Sequence, residues 1–162
     1  MAAGRGSRVG RPGAAMLWLS VLSLLPDIDV VGMAYGVPYG APWGHRGATH
    51  SLVMAGVLGL AFAVLARGPG RRFGTTLVLA AAVAGSHGLL DAMTDGGRGV
   101  ALFWPFSTHR YFFPWRPIPV APIGVGLLSR EGLEVMVWEL LVFLPVFGYA
   151  LWPRSGSDDF SV

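Results

Sequence analysis

The stretch TTLVLAAAVAGSHGLLDAM, residues 75–93, is apolar for most of its length and then carries a histidine and an aspartate four positions apart. A soluble helix presents one apolar stripe to a core. This segment is apolar around most of its circumference, as a helix in hydrocarbon must be, and its length suits the roughly 20 residues that a bilayer crossing needs. Three more segments share the pattern. AAMLWLSVLSLL (14–25) is short for a crossing and is expected to end at Pro26. HSLVMAGVLGLAFAVLA spans 50–66. LEVMVWELLVFLPVFGYALW spans 133–152 and is expected to kink at Pro145. The expected fold is therefore all-α: a polytopic membrane helical bundle with about four spanning helices and a long irregular aromatic loop. One membrane-embedded domain is expected over 14–152, between a flexible polar N-terminus (1–13) and a polar tail (153–162).

Composition agrees. Hydrophobic residues make up 53% of the chain and charged residues only 13%, against about 25% charged in a typical soluble domain. Mean hydropathy is +0.56. The formal net charge is +3, yet every cation is an arginine and they are spread along the chain. No basic block tracks a phosphate backbone, so nucleic acid is not an expected partner; the bilayer is. No cysteine is present, which excludes disulfides and thiolate metal sites. No small-residue cleavage site follows the first apolar run, so a cleaved signal peptide is not expected. Arginine bias favours a cytoplasmic N-terminus. Arg5, Arg8, Arg11, Arg67, Arg71, Arg72 and Arg154 then lie inside, and Arg46, Arg98, Arg110, Arg116 and Arg130 outside. The short RGPGRR turn (67–72) is the strongest vote.

On that topology the polar residues gather. Asp27 and Asp29 follow the first segment, His45 and His50 open the second, and His87 and Asp91 close the third. In an up-and-down bundle these three places share one membrane face. Each has a plain structural reading. PDID can be a helix-ending turn, Thr49 or Ser51 can cap a helix, and His87 with Asp91 can form a local i,i+4 pair. Together, at a membrane boundary where ionisable groups are costly and usually functional, they point to a metal site. Three imidazoles with carboxylates and no thiolate suit Zn²⁺, with Mn²⁺ or Fe²⁺ as the other fits. Extra carboxylates could bridge two ions. Arg46, beside His45, has the planar fork that clamps phosphate or carboxylate oxygens. Other schemes fit poorly. HExxH and GxSxG are absent, and DGGRG (95–99) lacks the spacing and lysine of a P-loop.

Four motifs, LLPDID, HRGATHS, SHGLLDAMTDGG and LFWPFSTHRYFFPWRPIPV, resemble the YdjM/DUF457 family of membrane-bound metal-dependent hydrolases. The resemblance covers about residues 17–150 and rests on the order of the motifs. It implies a multi-pass protein of the bacterial inner membrane with a divalent metal held by Asp27, Asp29, His45, His50, His87 and Asp91. A more distant likeness links it to the zinc phospholipase C and P1 nuclease group, which implies hydrolysis of an ester or phosphoester. The expected chemistry is activation of water, with Asp29 and Arg46 as catalytic residues and a lipid-like or phosphoester substrate, the site facing the periplasm. Two other readings stay open: a non-catalytic metal-binding membrane scaffold, and a small ion or solute transporter. One departure stands out. Family members usually open with a helix bearing an early histidine, whereas this chain has none before His45, and its opening resembles the loop that follows such a helix. The expectation is a chain that starts one helix late, with a further ligand upstream.

The aromatic loop ALFWPFSTHRYFFPWRPIPV (101–120) suits a membrane interface, as a belt or a lid beside the site. His109 lacks a carboxylate partner there and is expected to be a surface histidine.

Overall fold

The computed structural model describes residues 12–68 and 70–151. Nearly all of the expected N-terminal arm, with Arg5, Arg8 and Arg11, and the expected tail, with Arg154, lie outside the described residues. The described chain is helical, with no strand and two isolated β-bridges. It divides between Pro119 and Val120 into two compact units.

In the first unit, α1 runs from Pro12 to Leu24. Contrary to the expectation from sequence, Pro26 does not end the helical path. The chain tightens into a 3₁₀ turn over Leu25–Asp29 and resumes as α2, Val30–Ala34. Proline is tolerated because it occupies the first positions of the new turn, where a backbone N–H would have no helical partner. This continuation carries the apolar run from Leu17 to Ala34, 18 residues, long enough to cross a membrane. The second candidate span is α4, Phe73–Ala92. Between them lies α3, Leu52–Leu65, apolar but only 14 residues long. Ser51 caps α3, accepting from the Met54 N–H at 3.1 Å.

The packing of α3 on α4 is built from small residues. Ala55, Gly59 and Ala63 recur every fourth position on α3, and Ala80, Ala84, Gly88 and Ala92 do so on α4; all are buried. A Cβ on Gly59 would lie 2.6 Å from the backbone N of Ala81, so the two backbones meet there with nothing between them. Leu22 of α1 joins this core with Leu19, Leu58 and Phe62. Many large apolar side chains point the other way: Trp18, Val57, Leu60, Val78 and Leu79 are all exposed. Water would penalise that arrangement, because contiguous exposed apolar surface is rare on soluble monomers. Lipid does not, and membrane helices associate through small residues that allow close approach. Gly59→Leu should therefore force α3 from α4, destabilising the protein by at least about 1–3 kcal/mol. Thermal unfolding in detergent would show a lower midpoint, and an unchanged midpoint would contradict this packing.

The loop after α4 is irregular but tied down. Val100 and Tyr111 exchange backbone hydrogen bonds at 2.9 and 2.8 Å. Phe113 N–H donates to Ala92 at the end of α4, and Leu52 N–H, at the start of α3, donates to Leu102. Ala92, Val100 and Leu102 form a small core with Tyr111. In the second unit, a 3₁₀ turn (Gly124–Leu128) precedes α5, Arg130–Leu151, which contains Pro145. Gly132 lets the turn and helix meet: a Cβ there would fall 2.2 Å from the Leu127 carbonyl oxygen.

Candidate metal centre

Three separate elements bring the polar residues together. The 3₁₀ turn after α1 supplies Asp27 and Asp29. The loop into α3 supplies His45, Arg46, Thr49 and His50. The C-terminal part of α4 supplies His87 and Asp91. Two residues apart on a 3₁₀ turn is two-thirds of a revolution, so the two turn carboxylates diverge. They meet the same imidazole from opposite sides. Asp27 Oδ1 lies 3.3 Å from His50 Nε2, and Asp29 Oδ2 lies 3.1 Å from His50 Nδ1.

Beyond His50 Nε2 is a convergence of ligand-type atoms. Asp91 Oδ2 is 3.1 Å from it. His87 Nε2 is 3.2 Å from Asp27 Oδ1 and 3.7 Å from Asp91 Oδ2. These four side chains offer atoms that all lie within 4.8 Å of one another. His50 Nε2, His87 Nε2 and Asp91 Oδ2 are buried without a hydrogen bond. Buried polar atoms are almost always satisfied, so three orphans facing one another call for a missing partner. Ligands about 2.0–2.1 Å from a tetrahedral Zn²⁺ sit about 3.3–3.4 Å apart, and the observed spacings straddle that value. Charge is in keeping: Asp27 and Asp91 both face this point, Arg46 pairs with Asp91 alone, and a divalent cation suits the remaining negative charge when the imidazoles are neutral.

The opposite side of His50 is hydrogen-bonded. Asp29 Oδ1 is 2.8 Å from His45 Nδ1. Thr49 Oγ1 donates to Asp29 Oδ2 and lies 3.0 Å from His50 Nδ1. The group Asp29, His45 and His50 also has metal-ligand spacing, but its atoms are already engaged with one another. Arg46 Nη2 pairs with Asp91 Oδ1 at 3.0 Å, and Nη1 donates to Thr94 Oγ1 at 2.7 Å. Asp91 is thus held by one oxygen and leaves the other toward the histidines. Access is from the side of Asp27, whose side chain is 43% exposed while that of His50 is fully buried.

Local sequence explains the geometry. Arg46 adopts a left-handed φ of 61°, unusual for a residue with a side chain. It is kept there by its ion pair and by Ala101 N–H, which donates to its carbonyl at 3.0 Å. Gly44 and Gly47 flank the turn where a Cβ would overlap the carbonyls of Pro38 and Pro42. Gly88, between His87 and Asp91, lets α4 touch the loop: a Cβ there would lie 2.4 Å from the His50 carbonyl oxygen.

All seven residues singled out from sequence, Asp27, Asp29, His45, Arg46, His50, His87 and Asp91, fall in this connected cluster. His109 lies apart, its ring against Tyr111. Sequence reasoning missed the site roles of Thr49 and Thr94. It also missed Arg110, which it placed only as an outside charge. Arg110 donates to the carbonyls of His45 (2.9 Å), Tyr39 (3.0 Å), Ala41 (3.2 Å) and Gly99 (3.3 Å), stapling the histidine loop to the aromatic loop. A lone arginine among aromatics gave no sign of four carbonyl partners.

Comparison with known proteins places these motifs in context. The family model described as YdjM inner membrane protein matches residues 1–155. The inner membrane protein YbcI of Escherichia coli (strain K12) is 39% identical over 161 residues, covering 93% of this chain and 90% of that relative. No solved structure matches.

Proposed function

This chain belongs to the YdjM inner membrane protein family, and on that premise we propose that it is a multi-pass membrane metallohydrolase acting on an ester or phosphoester. The observation that carries the reading is the buried, unsatisfied set of His50 Nε2, His87 Nε2 and Asp91 Oδ2, closed by Asp27. These four residues hold one divalent cation, Zn²⁺ first and Mn²⁺ or Fe²⁺ next by donor type. When bound, the cation supplies Lewis acidity, acidifying water and polarising a substrate oxygen.

The chain's own residues do the rest. Asp29 holds His50 by Nδ1 and so presents Nε2 to the centre, the carboxylate–histidine arrangement common behind metal ligands. His45 and Thr49 hold Asp29 in turn. Arg46 fixes the Asp91 carboxylate by one oxygen. Asp27, the exposed member, is placed to accept a proton from incoming water. Exposed Trp43, Phe106 and Trp115, with Trp43 edge-on to Trp104 at 5.1 Å, suit an interface that admits a lipid-like substrate. α1 with the 3₁₀ turn that follows it, α3, α4 and α5 serve as the four crossings. The arginine turn at 67–72 marks the cytoplasmic end, which puts the metal centre on the periplasmic face.

The test is metal content and turnover measured together on detergent-purified protein carrying a histidine-free tag. Hydrolysis of a lipid phosphoester that is lost with the metal in Asp91→Ala supports the reading. Bound metal without turnover of any ester or phosphoester overturns the enzyme.

Metal uptake should also depend on pH. Burial alone would pull the His50 imidazolium's pKa down, but the facing carboxylates of Asp27, Asp29 and Asp91 outweigh it and push it up to about 10. At neutral pH the metal-free imidazole therefore carries a proton that a cation must displace. Affinity should rise about tenfold per pH unit between about pH 6 and 8, with about one proton released per ion. Calorimetry in buffers of different ionisation enthalpy measures both. A flat affinity over that window would contradict proton competition at His50.

A further inference from the structure

The other end of the α3–α4 hairpin carries a polar feature that the metal centre does not use. Arg67, Arg71, Phe73 and Thr76 line a cavity of about 410 Å³, within the range of about 300–1,000 Å³ in which proteins hold small molecules. Arg67 is stacked over the Phe73 ring at 4.8 Å. Arg71 donates to the Ala66 carbonyl at 3.5 Å. Among the described residues no carboxylate pairs with Arg67, Arg71 or Arg72. One wall is the first turn of α4, a 20-residue helix with no side-chain cap and no acidic residue in that turn. Its free N–H groups and positive dipole end add to the two guanidiniums. Val64 and Leu65, which lie in sequence between the lining residues Ala63 and Ala66, are exposed, Leu65 at 85%. A ligand that fits is anionic at one end and apolar along the rest.

We infer that this cavity binds a phosphate monoanion and that anionic phospholipid headgroups of the bilayer supply it. The arginines take the phosphodiester oxygens, the helix end shares the charge, and the acyl chains run along the outer faces of α3 and α4. A basic pocket between membrane helices on the cytoplasmic side has the features that headgroup recognition needs. The inference rests on the membrane placement above and is independent of the metal centre.

Native mass spectrometry tests it on the full chain extracted from liposomes of equal phosphatidylglycerol and phosphatidylcholine. Wild type is expected to retain phosphatidylglycerol preferentially. R67Q/R71Q should lose that preference by about tenfold or more, with helix content and elution position unchanged. R98Q/R116Q, which removes two exposed arginines from the loop that follows the other end of α4, should keep it. No preference in wild type, or equal loss in both variants, overturns the site. Inorganic phosphate is the second probe. If it binds lipid-free wild type and displaces phosphatidylglycerol, the lipid source is overturned in favour of the free ion; if it does neither, the headgroup assignment stands. Should R67Q/R71Q fail to fold, Thr76→Asp puts a negative charge on the same wall and is expected to expel the lipid. Retention in Thr76→Asp would overturn the proposal.

Discussion

His50→Ala is expected to lose the metal outright and to destabilise the metal-free protein as well. The imidazole stands between the carboxylates, with one ring nitrogen toward each side. Asp29 and Thr49 hold its Nδ1 side, while Asp27 and Asp91 face its Nε2. Removing it takes a ligand from the centre. It also leaves three carboxylates around a buried space with only Arg46 and the other histidines to balance them. Breaking a buried charge cluster by deleting one partner typically costs about 3–5 kcal/mol. Metal analysis should fall from about one ion per chain to background, and unfolding in detergent plus chelator should move to lower temperature. A variant that binds metal as wild type does would contradict the ligand role. One that loses metal but keeps its metal-free stability would contradict the shared grip on the ring.

The second large effect separates ligation from orientation. Asp29→Asn should weaken metal binding by about 10–100-fold without abolishing it, whereas Asp91→Ala should abolish it. Asp29 is turned away from the centre and spends its oxygens on His45, His50 and Thr49. An asparagine offers one acceptor and one donor where a carboxylate offers two acceptors, so it cannot hold both rings in the same tautomers. Binding isotherms for the two variants measure the difference. If Asp29→Asn instead halves a two-ion stoichiometry, Asp29 is a ligand of a second ion and the orienting role is wrong.

The parts of this architecture that were legible in the sequence are those governed by composition and periodicity. Long apolar runs without a polar face announced α3, α4 and α5, and paired polar motifs at their ends announced which residues would meet. The i,i+4 spacing of His87 and Asp91 put both on one face of α4 in advance. Pro26 misled, because a proline after an apolar run usually marks a stop. Only the tertiary path shows it starting a 3₁₀ turn that lengthens the first apolar helix. That same turn decides how the two carboxylates share one imidazole, so the division of labour between Asp27 and Asp29 was beyond reach. Every fourth position of α3 and α4 is small, which is visible once the partner helix is known, yet in an Ala- and Gly-rich chain it does not stand out. The carbonyl partners of Arg110 and the Thr94 contact of Arg46 are long-range, set by where the aromatic loop returns to the end of α4. Nothing in residue order encodes them directly.

X-ray absorption at the zinc edge, on wild-type protein loaded with one equivalent of Zn²⁺, addresses the centre most directly. A four-coordinate shell of nitrogen and oxygen at about 2.0–2.1 Å, with multiple-scattering features of two imidazoles that drop to one in His87→Ala, is the predicted result. A shell without imidazole, or one that His87→Ala leaves unchanged, would contradict a cation held by His50, His87, Asp27 and Asp91.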